Sequence, residues 1–384
     1  MDKIKVLTIV GTRPEIIRLS RVMARLEEHT NHVLVHTGQN YDYELNEIFF
    51  EQLKIRKPDH FLEVDTTTLG AAVGDIMRKS EEVLKLEKPD ALLVLGDTNS
   101  CLSAYMAKRL HIPIFHMEAG NRCFDFNVPE ETNRRIIDHI ADFNLVYTEH
   151  ARRHLIAEGL PHRRIYLTGS PMKEVLDHHM EDIRNSTVLN NLNLTREEYF
   201  VVSVHREENV DNPGNLKKVL TMLNQLAAKY QKQVIVSTHP RTRKRMEELK
   251  KDNKTGNKEE INLDRNISFL KPFGFLDYVH LQMNALCTIS DSGTISEESA
   301  MLSFPAISLR KSMERPEAQD AGTIVLTGFE PKVVLNAIDT VIKEHGQRKY
   351  TSIAPDYTIT DTSWRVLKLI MGNAGLSNQW WGID

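Results

Sequence analysis

Three carboxylates in the first half of the chain stand where they could move a proton at a carbon atom. Asp97, in G-D-T, and Glu118, in H-M-E-A-G, each follow a short apolar segment that predicts a buried strand, and Glu130 lies in P-E-E at a predicted helix start. The carboxyl ends of parallel strands meet at one edge of a sheet, so we expect the three side chains to share that edge. Their mutual repulsion would tune their pKa values for acid–base work. Asp97 and Glu130 also have structural alternatives, as a helix cap and as a first-turn acid favoured by the helix dipole.

A histidine in the second half of the chain occupies a corresponding position. His205 comes directly after residues 200–204, which predict the first strand of a second sheet. A lone histidine is more often structural than catalytic, but Arg206 and two glutamates follow it and argue against an apolar core position. We therefore count His205 among the candidate acid–base residues.

Two short segments have the composition of anion sites. G-T-R-P-E at residues 11–15 places Arg13 and backbone N–H groups at a predicted helix start, although glycine and proline would serve a plain turn equally well. S-G-T at residues 292–294 precedes another helix and offers small residues with backbone donors. Arg315, in E-R-P-E, adds a guanidinium suited to a phosphate. An acid such as Glu298 would repel a phosphate, so hydrogen bonding to ribose hydroxyls is its better role.

These residues are positioned by short β-branched segments that alternate with longer amphipathic segments. The first set of predicted strands is residues 6–10, 32–36, 91–95, 112–116, 144–147 and 165–167, and the second set is 200–204, 233–237, 267–270, 287–290 and 306–309. The alternation predicts an α/β protein with two Rossmann-like domains and a ligand cleft between them. We place the N-terminal domain at residues 1–172, with a returning C-terminal helix at 362–384, and the C-terminal Rossmann-like domain at 173–361. The polar segment 250–260 predicts an exposed loop.

Composition argues against several other classes of protein. The 384 residues carry a formal net charge of -4, which argues against bulk nucleic-acid binding. No apolar segment approaches the length of a membrane span and none resembles a signal sequence, so we expect a cytoplasmic enzyme. The three cysteines are far apart and suggest neither a disulfide framework nor a thiolate metal site. Neither G-x-G-x-x-G nor G-x-x-x-x-G-K-[ST] occurs, so we infer neither dinucleotide binding nor a Walker-type NTPase.

Taken together, these segments closely resemble the non-hydrolysing UDP-N-acetylglucosamine 2-epimerase family over nearly the whole chain. The matching segments are G-T-R-P-E, G-D-T, H-M-E-A-G with Arg122, P-E-E-x-N-R, H-R-E-E-N, D-S-G-x-x-x-E-E and E-R-P-E. The resemblance implies a GT-B-like fold and an isomerase that binds a UDP-activated N-acetylamino sugar. It implies no metal and no cofactor. We expect a homodimer, with no nucleic-acid or membrane partner.

The resemblance also implies roles for individual residues. The catalytic cluster would be Asp97, Glu118, Glu130 and His205. The diphosphate would be contacted by Arg13, Ser292, Gly293 and Arg315, and the ribose by Glu298. Arg18 stands where the family usually has a lysine, so the positive charge is kept. Three further substrate-binding positions depart from the family: Thr294 replaces a second glycine, and Phe273 and Tyr278 replace a glutamine and a phenylalanine near the uracil.

Several departures from the common family segments agree with one branch. H-T-G-Q-N-Y-D-Y, G-D-T-N-S-C-L, A-G-N-R-C-F-D, T-G-S-P-M and S-T-H-P-R resemble enzymes that make UDP-N-acetyl-L-fucosamine. Those enzymes epimerise carbon 2 of UDP-2-acetamido-2,6-dideoxy-L-talose, by elimination and re-addition of UDP, for capsule or O-antigen synthesis. Interconversion of UDP-GlcNAc and UDP-ManNAc is the alternative reaction. A GT-B glycosyltransferase is a further alternative, which would need an acceptor groove and fewer N-terminal carboxylates.

Overall fold

The computed structural model describes residues 3–38, 43–239, 242–248, 262–347 and 353–383. The chain forms two compact units, one of Met1–His179 with Pro355–Asp384 and the other of Met180–Ala354. Each unit contains a parallel sheet with helices packed on it. The predicted α/β class with two Rossmann-like sheets is confirmed.

The N-terminal unit is built on a seven-stranded sheet. Its strands are β1 (Lys5–Val10), β2 (Asn31–His36), β3 (His60–Phe61), β4 (Ala91–Leu95), β5 (Ile114–Met117), β6 (Phe143–Val146) and β7 (Ile165–Leu167). They are parallel, in the order β3-β2-β1-β4-β5-β6-β7. The associated helices are α1 (Arg13–His29), α2 (Tyr43–Gln52), α3 (Leu69–Glu87), α4 (Ser103–Arg109), α5 (Pro129–Ile140) and α6 (Glu149–Ala157), with 3₁₀ turns at Asn99–Leu102 and His162–Arg164. The next helix, α7 (Met172–Arg184), begins in this unit, and its last five residues belong to the other.

The C-terminal unit is built on a six-stranded sheet. Its strands are β8 (Tyr199–Ser203), β9 (Gln233–Ser237), β10 (Ile267–Leu270), β11 (Cys287–Ser290), β12 (Ala306–Ser308) and β13 (Val325–Leu326). They are parallel, in the order β10-β9-β8-β11-β12-β13. The helices are α8 (Val188–Asn191), α9 (Glu207–Val210), α10 (Pro213–Tyr230), α11 (242–248), α12 (Phe275–Asn284), α13 (Ile295–Leu302), α14 (Pro316–Asp320) and α15 (Pro331–Gln347).

The last elements of the chain return to the N-terminal unit. After a 3₁₀ turn at Pro355–Thr358, α16 (Thr362–Trp381) packs on α1. The Ser363 N–H and hydroxyl both donate to the Glu174 carboxylate, at 2.8 and 2.6 Å, which fixes the start of α16. The helix has 20 residues and begins at the first residue of the range 362–384 expected for the returning helix.

Buried central strands explain why the sequence pattern was informative. Every residue of β4 is buried, as expected for a parallel strand covered by helices on both faces. The two-residue strands β3 and β13 were not predicted, because two residues carry no readable periodicity and both lie at sheet edges. Residues 39–42 of the segment H-T-G-Q-N-Y-D-Y and residues 250–260 of the predicted loop lie outside the described residues.

Candidate active site

Asp97 and Glu118 follow neighbouring strands of the N-terminal sheet. β4 and β5 pair in parallel with Leu95 opposite Met117, so both carboxylates come just after the last register pair. The Gly96 N–H donates to the Met117 carbonyl at 2.9 Å and joins the two turns. A Cβ atom added to Gly96 would lie 3.7 Å from Glu118 Oε2. The Glu118 carboxylate therefore reaches the turn that carries Asp97.

The Glu118 carboxylate is buried and ion-paired. Its residue is 8% exposed, and its backbone has a φ of 66°, a left-handed conformation that is uncommon outside glycine. Arg18 Nη1 lies 2.7 Å from Glu118 Oε2, and Asn121 Nδ2 lies 3.5 Å from Oε1. The Arg18 guanidinium is itself buried and lies 5.7 Å from the centroid of the Tyr147 ring. A guanidinium at this distance stabilises the ionised carboxylate.

Asp97 is held by two residues of α5. Arg134 Nη2 forms a close ion pair with Asp97 Oδ2. Asn133 Nδ2 donates to the Asp97 carbonyl oxygen at 2.9 Å. The following 3₁₀ turn has Thr98 as its cap residue, so the structure does not support the helix-cap alternative for Asp97.

Glu130 and Glu131 have different surroundings at the start of α5. Glu130 is half-buried, whereas Glu131 is fully buried. Glu131 Oε2 accepts a hydrogen bond from the Cys123 N–H at 3.1 Å and lies 3.2 Å from Arg134 Nη1. Glu131 Oε1 lies 2.9 Å from Arg135 Nη2. The structure thus places Glu131 among the guanidinium groups, a residue that the sequence analysis had not singled out from its neighbour.

The turn at residues 11–15 uses its own acid to cap α1. Glu15 Oε2 accepts hydrogen bonds from the N–H groups of Gly11 at 2.9 Å and Thr12 at 2.7 Å. These backbone donors, which we had expected to serve an anion, are therefore occupied within the chain. Glu15 Oε1 accepts from Thr98 Oγ1 at 3.1 Å and joins this turn to the one that carries Asp97. Burial raises the pKa of Glu15, and Arg13 at the same turn is half-buried.

Asp138, a buried carboxylate that the sequence analysis missed, supports the turn after β5. It accepts a hydrogen bond from the Gly120 N–H at 3.2 Å and lies 3.0 Å from His116 Nδ1 and 2.7 Å from Arg122 Nη1. Burial alone would raise the pKa of Asp138, but His116 and Arg122 outweigh burial and hold it below its ordinary value. His116 and Arg122 belong to the H-M-E-A-G segment and its extension, so the signal for a buried acidic partner was present.

In the C-terminal unit, Asp291 fixes the turn that carries His205. The buried Asp291 carboxylate accepts hydrogen bonds from the N–H groups of His205 and Arg206 at 3.0 Å each and from Asn209 Nδ2 at 2.7 Å. His205 Nδ1 lies 3.2 Å from Asp291 Oδ1, and the imidazole is 41% exposed. One ring nitrogen is therefore held by a carboxylate while much of the ring is accessible, an arrangement that suits a general acid or base.

Arg315 and the S-G-T turn come together in the same unit. Arg315 Nη1 donates to the Gly293 carbonyl at 3.1 Å, and its Nε lies 3.4 Å from Glu297 Oε2. Ser292 Oγ lies 3.0 Å from Thr294 Oγ1. A Cβ atom added to Gly293 would lie 2.8 Å from Arg315 Nη1, so any larger residue at this turn would displace the Arg315 guanidinium. The four predicted residues form one cluster of hydroxyl, guanidinium and backbone groups.

The three remaining candidates lie in or beside two helices of this unit. Tyr278 lies in α12, Phe273 lies just before α12, and Glu298 lies in α13. Gln282 Nε2 donates to Glu298 Oε2 at 2.9 Å. The Tyr278 hydroxyl is hydrogen-bonded to the serines that end β8 and β11, and burial raises the pKa of Tyr278. Phe273 and Tyr278 pack on one apolar cluster that also contains Leu281. Tyr278 therefore lies close to the ends of the central strands β8 and β11.

Among the residues that the structure describes, no group of three or more His, Cys, Asp or Glu side chains could hold a metal ion. None of the described helices is long and apolar enough to cross a membrane.

The chain is similar to known proteins over nearly its whole length. Residues 24–371 match the family model described as UDP-N-acetylglucosamine 2-epimerase. A UDP-N-acetylglucosamine 2-epimerase from Methanococcus maripaludis is 37% identical, over 89% of this chain and 92% of that protein.

Two solved structures extend the comparison to the fold. The structure of a UDP-N-acetylglucosamine 2-epimerase from Rickettsia bellii has a TM-score of 0.88 at 48% identity and covers 99% of this chain and 100% of its own. A UDP-GlcNAc 2-epimerase from Methanocaldococcus jannaschii, in complex with UDP-GlcNAc and UDP, has a TM-score of 0.88 at 32% identity and covers 96% of this chain and 100% of its own.

Proposed function

The chain belongs to the UDP-N-acetylglucosamine 2-epimerase family and is an isomerase of UDP-sugars; we propose that it inverts carbon 2 of a UDP-N-acetylhexosamine to give UDP-N-acetyl-L-fucosamine. The observation that carries the chemistry is the pair of carboxylates, Asp97 and Glu118, on neighbouring strand ends, each bound to a guanidinium. Ionised carboxylates held in place are suited to taking and returning a proton at carbon.

The reaction proceeds by elimination and re-addition of UDP. A carboxylate of the cluster Asp97, Glu118 and Glu130 takes the proton from carbon 2. The electron pair of the C–H bond forms the double bond between carbons 1 and 2, and UDP leaves with the electron pair of the anomeric C–O bond. A proton then returns to the opposite face of carbon 2, and UDP adds back to carbon 1. His205, whose Nδ1 is held by Asp291, supplies a second acid or base.

The proton at carbon 2 is weakly acidic, so stabilisation of the leaving UDP matters as much as the base. We assign this stabilisation to the cluster of Ser292, Gly293, Thr294 and Arg315, with Arg13 as a further cation. Its hydroxyl and guanidinium groups are donors that suit a diphosphate. Glu298, fixed by Gln282, binds the ribose, and the aromatic rings of Phe273 and Tyr278 lie at the uracil.

The choice of sugar rests on five sequence segments. A-G-N-R-C-F-D and T-G-S-P-M, among others, resemble the branch that acts on UDP-2-acetamido-2,6-dideoxy-L-talose. The product would supply capsule or O-antigen synthesis. Interconversion of UDP-GlcNAc and UDP-ManNAc is the second candidate, and the names of the relatives favour it.

One experiment tests both the reaction and the sugar. Purified protein is incubated in heavy water with UDP-GlcNAc or with the 6-deoxy-L-talo sugar nucleotide, and carbon 2 is followed by proton NMR. We expect deuterium at carbon 2 of the product and a higher kcat/KM with the deoxy sugar. Full proton retention would contradict the solvent-exchanging base. Turnover of UDP-GlcNAc alone would establish the second candidate, and no turnover without an added acceptor would indicate a glycosyltransferase.

A further inference from the structure

A series of paired polar and charged side chains in the N-terminal unit starts and ends at the turn that carries Asp97. His116 Nε2 lies 2.8 Å from the Gly96 carbonyl, and its Nδ1 lies 3.0 Å from Asp138. From there the ion pairs continue through Arg122, Glu158, Arg135, Glu131 and Arg134 to Asp97. We call these eight side chains the ion-pair ring. It joins the turns after β4 and β5 to α5 and α6.

Within the ion-pair ring, Arg134 is shared between two carboxylates. Its Nη2 forms the close pair with Asp97, and its Nη1 lies 3.2 Å from Glu131 Oε2. The Arg134 side chain is 2% exposed and the Glu131 side chain is fully buried, whereas Asp97 is 17% exposed. Because both pairs are poorly solvated, water screens the competition between them only weakly. The charge of Glu131 therefore acts on Asp97 through Arg134.

We propose that Glu131 is a positioning residue for the epimerisation, which holds Arg134 between two carboxylates and thereby keeps Asp97 basic enough to exchange a proton. The proposal rests on the proposed function, in which Asp97 belongs to the catalytic cluster. Glu131 also accepts a hydrogen bond from the Cys123 N–H at 3.1 Å and pairs with Arg135 at 2.9 Å. These contacts anchor it, so that Arg134 has a fixed second partner and is not drawn wholly towards Asp97.

Loss of the Glu131 charge should lower the pKa of Asp97. Arg134 would lose one of its two carboxylate partners and a neighbouring negative charge would be gone, and both effects lower the pKa of Asp97. A weaker base takes a proton from carbon less readily. Further charged or titratable groups near the turn that carries Asp97 are the same in the variant. They include Glu118, which is paired with Arg18, Glu15, which is bound to Thr98, and Cys101.

The test compares Glu131→Gln with Glu158→Gln. Gln keeps the size of Glu131 and an acceptor for the Cys123 N–H but removes the charge. Glu158 belongs to the same ion-pair ring and pairs bidentately with Arg122 at 2.8 and 2.6 Å. Its second ion-pair partner is Arg135, not Arg134. Both variants lose buried ion pairs and should melt at lower temperature. Only Glu131→Gln should move the acid limb of kcat/KM to lower pH and reduce kcat about 10-fold with KM nearly unchanged.

A measurement without turnover separates this proposal from the proposed function. The Asp97 carboxyl signal is assigned in carbon-13 NMR by its loss in Asp97→Asn, and it is titrated in the ligand-free protein. We expect the apparent pKa of Asp97 to fall by about one unit in Glu131→Gln. It should stay at the wild-type value in Glu158→Gln and nearly so in the charge-retaining Glu131→Asp. An unshifted Asp97 in Glu131→Gln, or an equal shift in Glu158→Gln, would overturn the proposal, whatever sugar the enzyme turns over.

Discussion

Arg18 Nη1 lies 2.7 Å from Glu118 Oε2, and the two side chains are 3% and 11% exposed. Arg18 lies on α1 and Glu118 follows β5, so this pair joins the helix that begins within G-T-R-P-E to the segment H-M-E-A-G. Glu118 presents its carboxylate from a left-handed backbone with a φ of 66°. A buried charge with a fixed partner is costly to break, because removal of one partner leaves the other in a poorly solvated place.

Replacement of Arg18 should therefore change the ionisation of Glu118. In Arg18→Met the carboxylate loses its guanidinium, and the pKa of Glu118 should rise by about 1–3 units. The acid limb of kcat/KM should move to higher pH by a similar amount. Arg18→Lys should stay near the wild-type profile. Arg21→Met, on the same helix but paired with His178, is the matched control. An unmoved limb in folded Arg18→Met would exclude Glu118 as the group that titrates.

Loss of the acid–base groups should lower kcat and leave UDP binding nearly intact. Glu118→Gln and His205→Ala should each reduce kcat by about 10²–10⁴-fold. Steady-state rates and calorimetric UDP binding measure the two effects separately, and melting curves report folding. The controls are Glu149→Gln, at a half-buried acid that is paired with Arg152, and His162→Ala, at an exposed histidine. If folded Glu118→Gln remains nearly fully active, Glu118 is structural and the assignment of the catalytic cluster is wrong.

A methyl group at position 293 should weaken UDP binding. The Cβ atom of Gly293→Ala would lie 2.8 Å from Arg315 Nη1 and 3.5 Å from Arg310 Nη1, so the Arg315 guanidinium must move. A lost hydrogen bond to a charged group costs about 1.5–3 kcal/mol, so calorimetry should show UDP affinity about 10- to 100-fold lower. Gly346→Ala, which meets no atom within 4 Å, is the control. Unchanged affinity in Gly293→Ala would remove Arg315 from the UDP site.

The stability of the protein should fall with acid through His36. Burial lowers the pKa of His36 from 6.5 to about 4, and its Nδ1 accepts the Gly38 N–H at 2.9 Å. Between pH 6.5 and about 4 the unfolded chain takes up this proton while the folded chain does not. The neutral, buried His36 therefore leaves stability undiminished above pH 6.5. As the pH falls, proton uptake by the unfolded chain lowers the free energy of unfolding, by about 2 kcal/mol at pH 5.

Denaturant unfolding at pH 7 and pH 5 checks this contribution. His36→Gln cannot titrate, so its free energy of unfolding should change less than that of the wild type between the two pH values. His29→Gln, at an exposed histidine of the same unit, should behave as the wild type. A pH dependence in His36→Gln as steep as in the wild type would contradict the prediction.

Much of the fold could be predicted from the sequence because central parallel strands are buried on both faces. The expected strands at 200–204 and 112–116 correspond to β8 and β5, with bounds shifted by one or two residues. The short strands β3 and β13 escaped prediction, since two residues at a sheet edge leave no pattern of burial.

The positions of Asp97 and Glu118 at strand ends were determined by the sequence alone, since each directly follows an apolar segment. Their partners were decided only by tertiary structure. Arg134 reaches Asp97 across 37 positions and Arg18 reaches Glu118 across 100. The burial of Glu131 rather than Glu130 depends on which face α5 turns inward. Periodicity reports whether a residue and its near neighbours are buried, but a charged pair forms only where packing brings two distant segments into contact and removes the water between them.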